Sequence, residues 1–293
     1  MSGKLACALF SFPMLPPGQA LDLIAMLGFE GADIGLSENR DHLWPSREFR
    51  NIAKSARSLK RKLDDNGLKL ADLFLQPSLN FTDFAPNHPD AGVRRKARKV
   101  FEQGLEYTVR CGGRHMTILP GTHWKTESRL DSARRSAEEL AWRVEQAKKA
   151  NITFSVECHL GSFAEKPAQA KELVAMTPGL TLTLDYGHFT SKGIPDSAVE
   201  PLIKYASHFH VRGTRKGRLQ ASFKANTVDY SRVLKVMKET NYSGYLGLEY
   251  VWIDWHHCNE TDNICETILF RDFLREQMKK INRRRPRLKK ERN

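Results

Sequence analysis

Residues 180–189 read LTLTLDYGHF, an alternating apolar run that breaks into Asp185 and, three residues on, His188. Period-two alternation predicts a strand with a buried face. A strand that closes on a carboxylate and an imidazole is a solvated strand end, a buried ion pair or two arms of a metal site. Those ten residues do not choose among the three. The same grammar recurs along the chain, with β-rich runs at 4–12, 31–36, 68–76, 115–121, 152–159, 180–189, 208–213 and 244–252. Helical patterns follow them at 16–28, 46–66, 88–111, 129–150, 166–177, 196–207, 229–241 and 264–284. DDNG closes the second helix at Gly67 and TPGL closes the fifth at Gly179, both glycine stops. The stretch RLDSARRSAEELAWRVEQAKKA (129–150) carries a helical apolar stripe.

Eight strands, each followed by a helix, predict an α/β fold, a single-domain (β/α)₈ TIM barrel over residues 1–274 with a basic helix end or tail at 275–293. An open doubly wound sheet usually has fewer strands and a glycine-rich phosphate loop after its first strand. FSFPMLPPGQ (10–19) offers neither GxGxxG nor a P-loop.

At 293 residues the chain can bury a large core, and 40% hydrophobic with 28% charged residues is ordinary for a soluble globular protein. No apolar run reaches the roughly eighteen residues a membrane helix needs, so no membrane partner is expected. MSGKLACALFSFPML reads better as a first strand than as a signal peptide. The five cysteines (Cys7, Cys111, Cys158, Cys258, Cys265) are odd in number, scattered and without CxxC, which argues for a reducing, cytoplasmic setting. The net charge is +13, of which +8 lies in 275–293 and only +5 in the rest. Any contact with nucleic acid is therefore expected only through that tail, for which a solvated helix end is the blander account.

Barrel enzymes place their chemistry at the C-terminal ends of the strands. Strand five ends in Glu157 and His159, strand six in Asp185 and His188, strand seven in His210 and strand eight in Glu249. Strands one to four end in Phe10/Phe12, Ser37/Glu38, Gln76 and Thr117/Leu119. Alone, each of these is most simply a solvated or paired residue. Converging from four neighbouring strands, the carboxylates would repel one another unless a positive charge offset them, and a divalent cation does so economically. A mainly oxygen donor set suits Mn²⁺, Mg²⁺ or Co²⁺ better than structural Zn²⁺.

FSVECHLGSF (154–163), LTLDYGH (182–188), HFHVRG (208–213), GYLGLEY (244–250) and GFEGADIGL (28–36) resemble the xylose isomerase-like TIM barrels, the sugar phosphate isomerase/epimerase superfamily. The resemblance spans essentially the whole chain. It implies metal ligands Glu157, Asp185, His210 and Glu249, and it implies that His188 faces the substrate; for the ion, the donor set puts Mn²⁺ first, with Mg²⁺, Co²⁺ or Zn²⁺ as alternatives. It further implies a sugar or polyol substrate, proton transfer through a metal-stabilised enediolate, and Glu157 and Glu249 as the groups that remove and return the proton. Members of the family often form dimers or tetramers, so a homo-oligomer is expected.

The residues add candidates of their own. His159 lies at i+2 from Glu157 and would share its face in a regular strand, as an acid or base. Arg212, Arg215, Lys216 and Arg218 form a basic run able to hold a phosphate, a carboxylate or a hydroxyl. Trp252, Trp255, His256 and His257 in the last loop, and Trp124 after strand four, could stack on a sugar, though rim packing explains them equally. Gln76 is placed with the substrate contacts. An apurinic endonuclease would need further histidines where Gln76 and Leu119 stand. A lyase or dehydratase of a keto-sugar or keto-inositol uses the same ligand set and comes second to an isomerase or epimerase. A non-enzymatic binding module would have little need of all four ligands.

Overall fold

In the computed structural model, which describes residues 3–283, eight parallel strands close into a barrel in the order β1 to β8. They are β1 (Lys4–Ala8), β2 (Gly31–Ser37), β3 (Lys69–Gln76), β4 (His115–Ile118), β5 (Thr153–Glu157), β6 (Thr181–Asp185), β7 (Ala206–Val211) and β8 (Tyr245–Leu248). β8 pairs back with β1 through Leu5↔Leu246 and Cys7↔Leu248. The helices are α1 (Pro17–Met26), α2 (Pro45–Glu48), α3 (Ile52–Asp65), α4 (Ala91–Arg110), α5 (Arg129–Lys149), α6 (Pro167–Met176), α7 (Tyr186–Thr190), α8 (Asp196–Val199), α9 (Tyr230–Glu239) and α10 (Asn263–Arg283). No helix of the described residues is long and apolar enough to cross a membrane.

Helix boundaries follow from local chemistry. Asn51, Ser128 and Asp229 cap α3, α5 and α9 by accepting from the backbone N–H of Lys54, Asp131 and Arg232. After α3, Gly67 takes φ +65°, so that its own N–H and that of Leu68 reach back to Asp64 and Leu63. After α6, Gly179 takes φ +88° in a turn that Leu180 N–H closes onto Thr177 C=O. α3 buries Ala56, Leu59 and Leu63, a helical stripe against the barrel. Each leucine contributes about 1.5–3 kcal/mol of burial.

The strands expected at 4–12, 115–121 and 244–252 end earlier, at Ala8, Ile118 and Leu248, and three further boundaries differ in kind. The run at 180–189 is strand only to Asp185, because the Asp185 side chain accepts from Gly187 N–H and starts α7. The expected helix 46–66 breaks into α2, a 3₁₀ turn at Phe49–Asn51 and α3. The expected helix 196–207 is one turn of α8 followed by a 3₁₀ stretch at Glu200–Tyr205, because Ala206 and Ser207 already belong to β7. α10 runs through Arg283, and the remainder of the basic segment, 284–293, lies outside the described residues.

The barrel interior is polar along its length. Thr117, Ser155 and Thr183 form a triangle of hydroxyls 2.6–2.9 Å apart. Asp33 accepts from His208 Nε2 at 3.0 Å, in space left by Gly247, where a Cβ would stand 1.9 Å from the Asp33 carboxylate. The apolar core lies between barrel and helices, where Leu73, Met116, Val156, Leu184 and Phe209 are buried.

Candidate active site

Register brings the C-terminal groups together. Asp185 pairs with His210 across β6 and β7, and His210 pairs with Gly247, two residues before Glu249. His210 Nδ1 lies 2.7 Å from Glu157 Oε1 and 3.1 Å from Glu249 Oε2. These three residues offer donor atoms that all lie within 4.8 Å of one another, and all three are buried. Asp185 stands apart from that trio. Its Oδ1 accepts from Gly187 N–H and its Oδ2 is held by both Nε and a terminal nitrogen of Arg212. The same terminal nitrogen reaches Glu249 Oε2 at 2.9 Å, so the guanidinium bridges the two carboxylates. Arg212 is 2% exposed, a full charge withdrawn from solvent and committed to this site.

His188, one turn into α7, directs Nε2 towards Asp185 Oδ2 (3.5 Å) and Glu157 Oε2 (3.7 Å). Its ring lies 4.1 Å from that of His159. β5 ends at Glu157, yet a turn closed by His159 N–H to Glu157 C=O keeps His159 on the same side. The far face of His159 stacks on Trp255 at 5.1 Å and 12°. Trp255 is aimed by a loop in which His256 and His257 adopt left-handed backbone angles (φ 52° and 57°), uncommon for residues other than glycine.

A cavity of about 300 Å³ opens on Glu157, His159, Arg212, Glu249 and Gln76. Its other walls are aromatic and aliphatic, with Phe10, Phe74, Phe81 and Trp255 prominent, and Arg40 crosses its rim. Arg40 donates to Gln76 Oε1 at 2.9 Å and to Ser37 Oγ at 2.8 Å while paired with Asp41. His188 stands behind Glu157 and is not among the lining residues. Trp124 donates to Asn87 and packs on His88, away from the cavity. Trp252 donates to Asn259 C=O and is 45% exposed. Arg218 pairs with Glu260 at 2.7 Å, and Arg215 is exposed on the same hairpin. Arg212 was grouped in sequence with those loop arginines. Its spacing of two from His210 on a strand is the signal that puts it inside. Arg40 has no such local signal.

The electrostatics separate the two glutamates. Burial opposes ionisation of Glu157, but His210 and His188 outweigh it and hold the carboxyl well below the usual range. Burial lifts Glu249 above that range, against Arg212 and His210. Burial also works to strip the proton from His210, and Glu249 and Glu157 together reverse this and raise it. His159, buried and then repelled by His188, is lowered to about 3 and is neutral at physiological pH.

The donors fit a divalent cation. One imidazole and two carboxylates converge, and without an ion the His210 proton must serve both glutamates. Asp185 is not in this group, because its Oδ2 is held by Arg212.

The sequence model of the xylose isomerase-like TIM barrel family matches residues 21–274. The chain belongs to that family. It is similar to an L-ribulose-5-phosphate 3-epimerase, UlaE, of Escherichia coli O8 (strain IAI1), with 23% identity over 280 residues, 91% of this chain and 93% of that protein. Among solved structures, it superposes on an L-ribulose 3-epimerase with TM-score 0.74 at 17% identity, covering 96% of each chain. A 3-keto-D-glucoside 4-epimerase, YcjR, from E. coli gives TM-score 0.69 at 14% identity over 95% of this chain and 100% of that one. At such identities the structural likeness shares the fold.

Proposed function

We propose that this protein is a divalent-metal-dependent sugar epimerase that moves a proton at the carbon beside a carbonyl. The observation that carries the reading is the grouping of Glu157, His210 and Glu249, with donor atoms within 4.8 Å of one another, where Glu157 and Glu249 line a sugar-sized cavity. The epimerase names of the relative and of the superposed structures support it.

Glu157, His210 and Glu249 would hold the ion, and Asp185 would complete the set in exchange for its bond to Arg212. When bound, a divalent ion stabilises negative charge developing on the carbonyl oxygen. The chain's own residues do the rest. Glu157, kept ionised by its two histidines, is the base that accepts the C–H proton. Glu249, the second carboxylate lining the cavity, is the group that returns one. The guanidinium of Arg212, open to the cavity and unable to lose its charge, faces the developing enediolate. The aromatic walls present apolar faces to the sugar's C–H surface and exclude water. Neutral His159, packed between His188 and Trp255, accepts a hydrogen bond from a substrate hydroxyl.

The test is turnover on a panel of ketopentoses, ketohexoses, their terminal phosphates and 3-keto-glucosides, after EDTA treatment and with Mn²⁺ restored. Epimer formation that depends on the metal is expected. Release of water or an aglycone as the main product would assign a lyase instead.

A further inference from the structure

We propose that the opposite, N-terminal mouth of the barrel is a binding site for a small phosphate-bearing anion. A cavity of about 530 Å³ opens there among the first residues of β1, β3, β4, β5, β7 and β8, larger than the one at the catalytic end. Its charged lining is of one sign: Lys4, Lys69, Arg114 and Lys204, with His115 and His208 on the floor and no Asp or Glu. Among the described residues none of these four cations is joined in an ion pair. Two of them lie over aromatic rings, Lys4 over Tyr245 at 5.5 Å and Lys204 over Tyr205 at 4.9 Å. Three carboxylates lie close to the mouth without lining it: Glu30 Oε2 accepts from Leu5 N–H, and beneath the floor Asp72 accepts from His115 Nδ1 at 2.6 Å and Asp33 from His208 Nε2 at 3.0 Å.

The floor is fixed by a chain of hydrogen bonds across the barrel. His115 bridges Asp72 on β3 to Ser207 Oγ on β7 at 2.7 Å, and Ser207 Oγ meets Thr181 Oγ1 at 2.6 Å. Thr153 and Ser243 add hydroxyls around the walls. A concavity rimmed by four exposed cations that no carboxylate pairs, over a floor fixed by hydrogen bonds, matches a small polyanion, because like charges around one concavity sum to a stronger field than an isolated lysine gives. The volume accommodates a pyrophosphate or a nucleoside diphosphate, and the site is independent of the epimerase reading.

The experiment is calorimetric titration of pyrophosphate, and separately of ADP, into the full chain at fixed ionic strength with EDTA present. Saturable one-to-one binding is expected. It should weaken at least about tenfold in Lys69→Ala/Arg114→Ala, two exposed positions whose loss leaves the fold intact. Arg57→Ala/Arg61→Ala, on the basic outer face of α3, should bind like the parent protein. Absence of saturation up to about 10 mM, equal loss in both double variants, or binding that persists in Lys69→Ala/Arg114→Ala would overturn the proposal. So would binding of single-stranded RNA that pyrophosphate fails to displace.

Discussion

Replacing Arg212 by leucine isolates the electrostatics of the catalytic end. Three buried carboxylates, Glu157, Asp185 and Glu249, face two cations there, Arg212 and protonated His210. Arg212→Leu removes one cation and leaves Asp185 Oδ2 and Glu249 Oε2 without their shared donor. Breaking a buried pair by deleting one partner costs about 3–5 kcal/mol. The lower end applies here, because Glu249, already raised by burial, can take up a proton. At about 2–4 °C per kcal/mol, the melting temperature in EDTA should fall by roughly 6–12 °C. The same substitution frees Asp185 for the metal and leaves more negative charge to offset. Added Mn²⁺ should therefore raise the variant's melting temperature by more than it raises the parent's. Arg212→Lys, which keeps the charge but loses the fork, should fall between the two. Differential scanning fluorimetry with and without Mn²⁺ reads both numbers. A variant that melts like the parent in EDTA, or gains less from Mn²⁺ than the parent does, would refute the competition between guanidinium and metal.

Other consequences are as concrete. Glu249→Gln should retain metal, measured by elemental analysis after gel filtration, while turnover drops at least about a hundredfold, the contribution of one positioned acid. On the helical layer, Glu139 accepts from Arg98 and from fully buried Arg143, so Glu139→Gln should lower unfolding stability by about 3 kcal/mol in urea titration. Burial, then His188, lowers the His159 pKa to about 3, beneath an unfolded value of about 6.5. Between those values the unfolded chain holds a proton that the native protein lacks, so this contribution is complete above pH 6.5 and is lost as pH falls towards 3. His159→Gln should thus lose about 1–2 kcal/mol less than the parent between pH 7 and pH 5, and an identical loss would contradict the assignment.

The barrel was legible because eight buried strands write near-continuous apolar runs, and the helices between them carry their own caps and stops. Rim residues on β5 to β8 were legible for a related reason: an ionisable group directly after an apolar run has few places to go except the strand end. What escaped depends on contacts distant in sequence. The turn of Asp185 into α7 was hidden because YGHF extends the apolar alternation, and only the Asp-x-Gly hydrogen bond distinguishes a cap from a strand end. Arg212 reads as one of several loop arginines until the strand is known to continue to Val211. Trp255 reaches His159 through two left-handed histidines, and Trp124 is drawn instead to Asn87. Neither outcome is written in local composition. The cationic mouth opposite the site is assembled from six strand starts, each carrying at most a charge or two.

The central claim is that this site moves a C–H proton with the help of a bound divalent ion. Proton NMR of the Mn²⁺-reconstituted protein in D₂O, quenched with EDTA before observation, tests it on whichever ketose of the panel is turned over. Deuterium should enter one carbon beside the carbonyl, and entry should stop when EDTA is added before the sugar and when Glu157 is replaced by Gln. Epimerisation without solvent deuterium at that carbon, or exchange that is unchanged in EDTA or in Glu157→Gln, would contradict the account.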